Sequence, residues 1–177
     1  FHGTFADRIG ALRDRLPKVK GYLWVDDGSG PCPDWADKYE DAATLTKGRC
    51  TPPWGRSGDD LYMLYTGGTT GMPKGVMWRQ EDLFFSGLGG GAPTGEPVRK
   101  PQELAERVAA GGAGITFFPT PPLMHGTSTL TVFIAFNFGQ RVVLHRKFAP
   151  EEVLRTIERE KVTSVSLVGD AMLRPLI

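Results

Sequence analysis

Charge of one sign, cysteine and long apolar runs are all scarce in this sequence, and each scarcity closes off a class of function. Across 177 residues, 21 Lys and Arg stand against 20 Asp and Glu, leaving a net charge of +1. No long-range field therefore draws in nucleic acid or an anionic membrane, and no nucleic-acid partner is expected. Cys32 and Cys50 are the only cysteines. Their spacing matches neither a metal knot nor a redox pair, so they read as reduced thiols of a reducing compartment. The opening residues lack the basic-then-apolar pattern of a secretory signal, and a cytoplasmic protein is the expectation. The longest apolar run, 130–138, is interrupted by Thr131 and Asn137. It falls well short of the roughly 20 residues that span a bilayer, so no integral membrane segment is expected. What is present is ordinary for a globular domain: 40% apolar and 23% charged residues, with enough length for one substantial core.

Periodicity sets out alternating helices and strands. Phe5, Ile9, Leu12 and Leu16 recur at helical spacing and predict a helix over 4–16, stopped at Pro17. A short strand is expected over 22–25. A short helix is expected after Asp34 as cap, carrying Trp35, Tyr39, Ala42 and Ala43. Strands follow at 61–65 and 76–78, then a helix over 80–88. Residues 89–101, rich in Gly and Pro, read as a solvated surface excursion. A helix over 102–110 carries a Glu103–Arg107 pair at i,i+4. A strand is expected at 115–118. The run 127–138 suits a buried helix or a long strand, and its length and Gly139 favour the helix. A strand at 141–144, a helix over 150–160 and a strand at 164–168 complete the pattern. Pro150, Glu151 and Glu152 suit the start of that helix, and Val153, Leu154 and Ile157 its buried face. Such alternation indicates an α/β layer fold with a largely parallel sheet and flanking helices. Trp24, Trp35, Trp54 and Trp78 read as packing residues, and His2 and His145 as surface residues.

The chemistry concentrates in Leu61 to Gly75, LYMLYTGGTTGMPKG. An apolar strand runs into a Gly- and Thr-rich loop closed by Pro73-Lys74-Gly75. Gly67, Gly68 and Gly71 free the backbone to aim N–H groups at an anion. Thr66, Thr69 and Thr70 add hydroxyls, and Lys74 adds a mobile positive charge. The spacing rejects a nucleotide-hydrolase P-loop, which ends in Gly-Lys-Ser/Thr at the start of a helix. Here Val76-Met77-Trp78 favours a second strand after the loop.

The stretch resembles the phosphate-binding signature of the adenylate-forming enzymes, the family of acyl-CoA synthetases, peptide-synthetase adenylation domains and luciferases. The pattern is aromatic-Thr-Ser-Gly-Thr-Thr-Gly-x-Pro-Lys-Gly. Tyr65, Thr66, Gly68 to Gly71 and Pro73 to Gly75 match it, while Gly67 stands where the family usually has Ser. The resemblance implies that the chain is part of the large N-terminal AMP-binding domain, with a phosphate loop at 65–75. It implies that Thr66, Gly67, Gly68, Thr69, Thr70 and Gly71 wrap the ATP phosphates. Lys74 would act catalytically by neutralising charge as pyrophosphate leaves, and Mg²⁺ would arrive with ATP, with Thr70 a candidate contact.

A second segment, Pro119 to Gly126, follows the strand at 115–118. Family members carry Pro-Pro-x-x-His here, and Pro121, Pro122 and His125 match it. The resemblance implies that His125 orients the substrate carboxylate and that Val168 and Gly169 line the acyl pocket. The implied enzyme activates a hydrophobic carboxylic acid, fatty or steroid-type, to an acyl-adenylate and passes it to coenzyme A. No Asp suited to hold an α-amine is evident, which disfavours an amino-acid substrate. The sequence around 77–82 is similar to actinobacterial fatty-acid and steroid-acid synthetases. The Tyr-Gly-x-Thr-Glu motif, the ribose-binding Asp and the small C-terminal domain with its adenylation Lys are not found. The chain accordingly reads as an internal piece of a longer polypeptide, unable alone to complete either half-reaction. The alternative is a non-catalytic nucleotide-binding or interaction module that keeps the loop.

Overall fold

Short runs rich in β-branched and aromatic residues, alternating with longer helical stretches, fold here as small parallel sheets and their connecting helices. The computed structural model describes residues 1–48, 50–67, 71–90, 96–111 and 114–177. The chain divides into two units, Phe1–Gly55 and Arg56–Ile177.

In the first unit, strand β1 (Leu23–Trp24) pairs in parallel with β2 (Asp37–Lys38), with Leu23 opposite Asp37. Trp24 is buried, with its indole Nε1 close against Gly3 near the chain start. The helix expected over 4–16 is broken into a 3-10 turn at Gly3–Phe5, helix α1 (Ala6–Gly10) and a second 3-10 turn at Arg13–Arg15. Phe5, Leu12 and Leu16 remain exposed, so little burial supports a longer helix. Gly10, a poor helix former, lies where α1 stops. Trp35 organises the unit instead. It stacks on Phe1 at 5.3 Å, meets Tyr22 edge-on at 5.4 Å and lies under the Arg13 guanidinium at 5.1 Å. The helix expected after Asp34 begins later, as α2 (Tyr39–Thr44), with Lys38 at its N-cap. Pairing of Asp37–Lys38 with β1 takes those residues out of helical reach, so sheet formation overrides the capping preference. Trp54, expected to pack, is exposed.

In the second unit, β3 (Leu61–Tyr65) and β4 (Gly75–Arg79) form an antiparallel hairpin, with Tyr65 opposite Gly75 and Leu61 opposite Arg79. Helix α3 (Gln80–Gly87) follows directly, then α4 (Pro101–Ala109). A three-stranded parallel sheet comes next, in the order β6-β5-β7, built from β5 (Thr116–Pro119), β6 (Arg141–Val142) and β7 (Ser164–Ser166). Helix α5 (Gly126–Asn137) joins β5 to β6, and α6 (Pro150–Glu160) joins β6 to β7. The chain ends with α7 (Asp170–Leu173) and a 3-10 turn.

The core of this unit takes Phe118 from β5, Ala135 from α5 and Val153 from α6, all fully buried. The one large core expected from length is thus replaced by small separate ones, and Leu61, Tyr65, Met77 and Phe136 remain exposed. The run 127–138 resolves as helix. The buried face of α6 is Val153, Thr156 and Ile157, not Leu154, which is 48% exposed. Within 89–101, Val98 is buried and donates its N–H to Gly90 O at 2.9 Å, so that stretch is not wholly a solvated excursion. The expected Glu103–Arg107 pair gives way to other partners. Glu103 accepts from the Arg99 N–H at 2.8 Å, and Arg107 donates to the Glu96 carbonyl. Strand β7 stops at Ser166, short of Val168. Its neighbour β5 runs into Pro121 and Pro122, which have no N–H to continue the ladder.

Candidate functional site

The hairpin extends one pair beyond its strands. The Thr66 N–H and hydroxyl both point to Lys74 O, at 2.9 and 3.3 Å. The loop therefore springs from a fixed base at Thr66 and Lys74. Thr66, Gly67, Gly71 and Lys74 are all exposed, and the expected positions Gly68, Thr69 and Thr70 lie outside the described residues. Gly67 is not at positive φ. A Cβ at Gly67 or Gly71 would meet nothing within 4 Å among the described residues. Gly75 is different. A Cβ there would stand 2.9 Å from Met63 Sδ, so the Met63 side chain packs closely over the loop's base.

Two cations flank this hairpin, and their surroundings differ. Arg79, at the far end of β4, is held by Asp59 at 2.7 Å, Asp82 at 2.9 Å and Glu81 at 3.1 Å. The bond to Asp59, followed by the charge of Asp82, pushes its pKa above the usual arginine value. Lys74, at the loop end, is exposed and appears in no ion pair among the described residues. It is the hairpin's available positive charge.

The second predicted segment is tightly bonded. Thr120 is 1% exposed. Its N–H and hydroxyl both donate to Ser166 O, at 3.2 and 2.9 Å, tying the end of β5 to the end of β7. The Ser128 hydroxyl, fully buried, donates to Pro121 O at 2.7 Å. The Thr129 hydroxyl reaches the Leu123 carbonyl. The His125 N–H closes a turn onto Pro122 O at 2.8 Å, and its own carbonyl accepts from Ser128 and Thr129 N–H. His125 is thus the N-cap residue of α5, with an exposed side chain that makes no capping bond.

Packing brings the two segments together. A Cβ on Gly126 would collide with the Leu64 side chain, so the first turn of α5 lies directly on the end of β3 before the loop. Further along, Tyr62 meets Phe133 edge-on at 6.3 Å. His125 therefore stands at the same end of the hairpin as Thr66 and Lys74. On the other side, Thr131 Oγ1 lies 3.2 Å from Ser166 Oγ, seating α5 on the end of β7. Val168, half-buried, and Gly169, exposed at φ 68°, leave β7 at that end. Helix α5 thus touches both the end of β3, at Leu64, and the end of β7, at Ser166, and strand ends of this kind are where α/β folds hold ligands.

His145 departs from its surface reading. Its Nε2 lies 2.8 Å from Thr120 O, its Nδ1 is buried, and its ring meets Phe118 edge-on at 5.2 Å. Being flanked by Arg146 and Lys147 in sequence is what obscured this. Thr120, Ser128, Thr131 and Ser166, which set the geometry, carried no motif signal. A cavity of about 390 Å³ between α3, β3 and α5, lined by Tyr62, Leu83, Phe84, Leu88 and Phe133, includes none of the predicted acyl residues. Among the described residues no cluster of His, Cys, Asp or Glu is arranged to hold a metal, and no helix is long and apolar enough to cross a membrane.

Comparison with known proteins gives this geometry a context. The family model described as AMP-binding enzyme matches residues 4–175. The chain is 44% identical over 182 residues to the medium-chain acyl-CoA ligase Mig of Mycobacterium avium, covering 100% of this chain and 33% of that protein. It is 39% identical over 175 residues to a medium/long-chain-fatty-acid–CoA/3-oxocholest-4-en-26-oate–CoA ligase of Mycolicibacterium smegmatis, covering 98% and 32%. The chain spans about a third of the length of these relatives. Its fold matches the inhibitor-bound N-terminal domain of FACL13 from Mycobacterium tuberculosis, with a TM-score of 0.64, 21% identity, and 99% of this chain and 38% of that one covered.

Proposed function

The chain belongs to the AMP-binding enzyme family, and on that premise we propose that it supplies the phosphate-binding part and part of the acyl site of an AMP-forming acyl-CoA ligase. The observation that carries the reading is the seating of α5 on β3 at Gly126 and Leu64. It supports the reading because Leu64 lies two residues before Thr66 and Gly126 directly follows His125.

The reaction has two halves. A substrate carboxylate oxygen attacks the α-phosphorus of ATP, the bond to the β-phosphate oxygen breaks, and acyl-adenylate and pyrophosphate result. The thiol of coenzyme A, losing its proton, then attacks the acyl carbon and AMP leaves. In the first half an anion must approach a polyanion, so the site must offset charge repulsion. The N–H groups and hydroxyls of residues 66–71 would hold the β- and γ-phosphates, with Thr66 anchored by its bonds to Lys74 O. The Lys74 ammonium, in no ion pair among the described residues, would neutralise the charge that builds on departing pyrophosphate. His125 would donate a hydrogen bond to the substrate carboxylate. Val168 and Gly169 would border the acyl group. The oxygen-rich phosphates suit Mg²⁺, which would be carried by ATP, with Thr70 its candidate contact in this chain. Hydrophobic acids of fatty or steroid type are the proposed substrates, supported by what the two relatives are named for. A cytoplasmic setting, where ATP and coenzyme A meet, belongs to the same reading, as does the assignment of 1–177 to the N-terminal AMP-binding domain.

The test is ATP–pyrophosphate exchange by the whole natural protein, with octanoate and with a steroid carboxylic acid. Exchange that depends on either acid supports the reading. Exchange with neither acid contradicts it.

A further inference from the structure

His145 sits 20 residues beyond His125 in sequence, yet it is bonded into the base of the same segment. We infer that His145 is a positioning residue for the acid half of the site, holding the Thr120 carbonyl and through it the turn that presents His125. The inference rests on the proposed ligase reading for its catalytic consequence, but not for its structural content.

A carbonyl oxygen only accepts, so the 2.8 Å contact makes Nε2 the protonated ring nitrogen. The opposite nitrogen, Nδ1, is buried and has no partner among the described residues. Phe118, on β5, meets the ring edge-on at 5.2 Å, and Phe148 does so at 6.3 Å. An apolar side chain of similar size would fill that space without burying an unsatisfied nitrogen. The one return for a histidine here is its bond to Thr120.

That bond completes the fixing of one residue, with the peptide on either side of Thr120 held. The Thr120 N–H and hydroxyl go to Ser166 O on β7, and its carbonyl goes to His145 beyond β6. Thr120 thereby links both neighbours of the central strand β5. From Thr120 the path to His125 has little slack. Pro121 and Pro122 fix φ, Pro121 O is held by buried Ser128, and Pro122 O takes the His125 N–H at 2.8 Å. Rotating the Thr120–Pro121 peptide would move the start of this turn. The base of the hairpin is closed by its own pair, Thr66 and Lys74.

The experiment compares His145→Leu with His145→Gln in the whole protein. Gln carries an amide N–H at the Nε2 position and can donate to Thr120, whereas Leu fills the space without a donor. Two readouts are taken: amide hydrogen exchange across 120–131 and 61–67, and the separate KM values for acid and ATP in pyrophosphate exchange. The Leu variant is expected to exchange faster over 120–131 with 61–67 unchanged. Its KM for the acid should rise on the order of tenfold or more, because small misplacements of positioning groups carry such factors, while the KM for ATP stays put. The Gln variant should restore both. Unaltered exchange in the Leu variant, a Gln variant as impaired as Leu, or a matching rise in the KM for ATP would each overturn the inference. Should His145→Leu fail to fold, the imidazole tautomer of the unmutated protein decides by ¹⁵N NMR. Protonation at Nε2 supports the inference and protonation at Nδ1 overturns it. If the unmutated protein shows no acid-dependent exchange, the ligase reading fails, and hydrogen exchange still judges the role of His145.

Discussion

The two halves of the candidate site are built in opposite ways. The phosphate hairpin has a closed base, Thr66 to Lys74, and the described residues beyond it, Gly67 and 71–73, are exposed. The segment from Pro119 to His125 is instead bonded from three sides, by Ser166 on β7, by Ser128 on α5 and by His145. The difference suits the ligands proposed for each. A triphosphate presents many acceptors and can be wrapped by an adaptable loop. A single carboxylate has to meet one donor at a set position, which favours a pre-positioned side chain. The cations follow the same division of roles. Arg79 is committed to three carboxylates, while Lys74 is left available.

The contrast can be broken from either side. The largest effect should come from the hairpin half. In the whole protein, Lys74→Ala is expected to slow adenylation by on the order of 10²–10³, the usual cost of losing one electrostatic contact to developing charge. Acid-dependent pyrophosphate exchange measures it, and an unchanged rate would remove Lys74 from the mechanism. Next comes the joint between the halves. Gly126→Val would push a side chain into Leu64, and overpacking of this kind costs about 1–3 kcal/mol. A lowered thermal midpoint with weakened exchange is expected, since α5 could no longer seat on β3. Within the bonded half, Ser128→Ala leaves the Pro121 carbonyl buried without its donor. A loss of about 1–2 kcal/mol in denaturant unfolding is expected.

The smallest effect lies outside both halves and serves as a control. Asp27 accepts from Ser29 Oγ at 2.5 Å and from Thr4 N–H at 3.1 Å. These bonds, Ser29 first, hold its pKa below the ordinary 3.8. Because the folded value is depressed, this contribution to stability is complete above 3.8 and is lost as pH falls through the lower folded value. Asp27→Asn should flatten the acid limb of a stability–pH profile measured below 3.8, and leave the KM values for ATP and acid unchanged.

Helices and strands with strong patterns were legible in the sequence, and those decided by tertiary pairing were not. The helix at 150–160 carried its own start signals and an apolar face, and forms as Pro150–Glu160. The helix over 4–16 had the right spacing but nothing to bury its stripe, so it breaks at Gly10. The Asp34 cap lost to the pairing of Asp37–Lys38 with β1. At the site, Thr66, Gly67, Gly71, Lys74 and His125 could be named because the loop and the paired prolines are motifs. Thr120, Ser128, Thr131 and Ser166 could not, since a Ser or Thr in a strand or helix has no pattern until its acceptor is known. His145 was hidden by its neighbours: Arg146 and Lys147 are exposed, while the histidine turns inward onto Thr120.

The division of labour between the two halves is tested most directly by one kinetic comparison in the whole protein. Lys74→Ala and His125→Ala are assayed side by side for pyrophosphate exchange, varying ATP and the acid independently. The account predicts a crossed pattern. Lys74→Ala depresses kcat or the ATP dependence at every acid concentration, and His125→Ala raises the KM for the acid while the ATP dependence holds. Two variants that shift the same parameter together would contradict it, because a single undivided site would then serve both ligands.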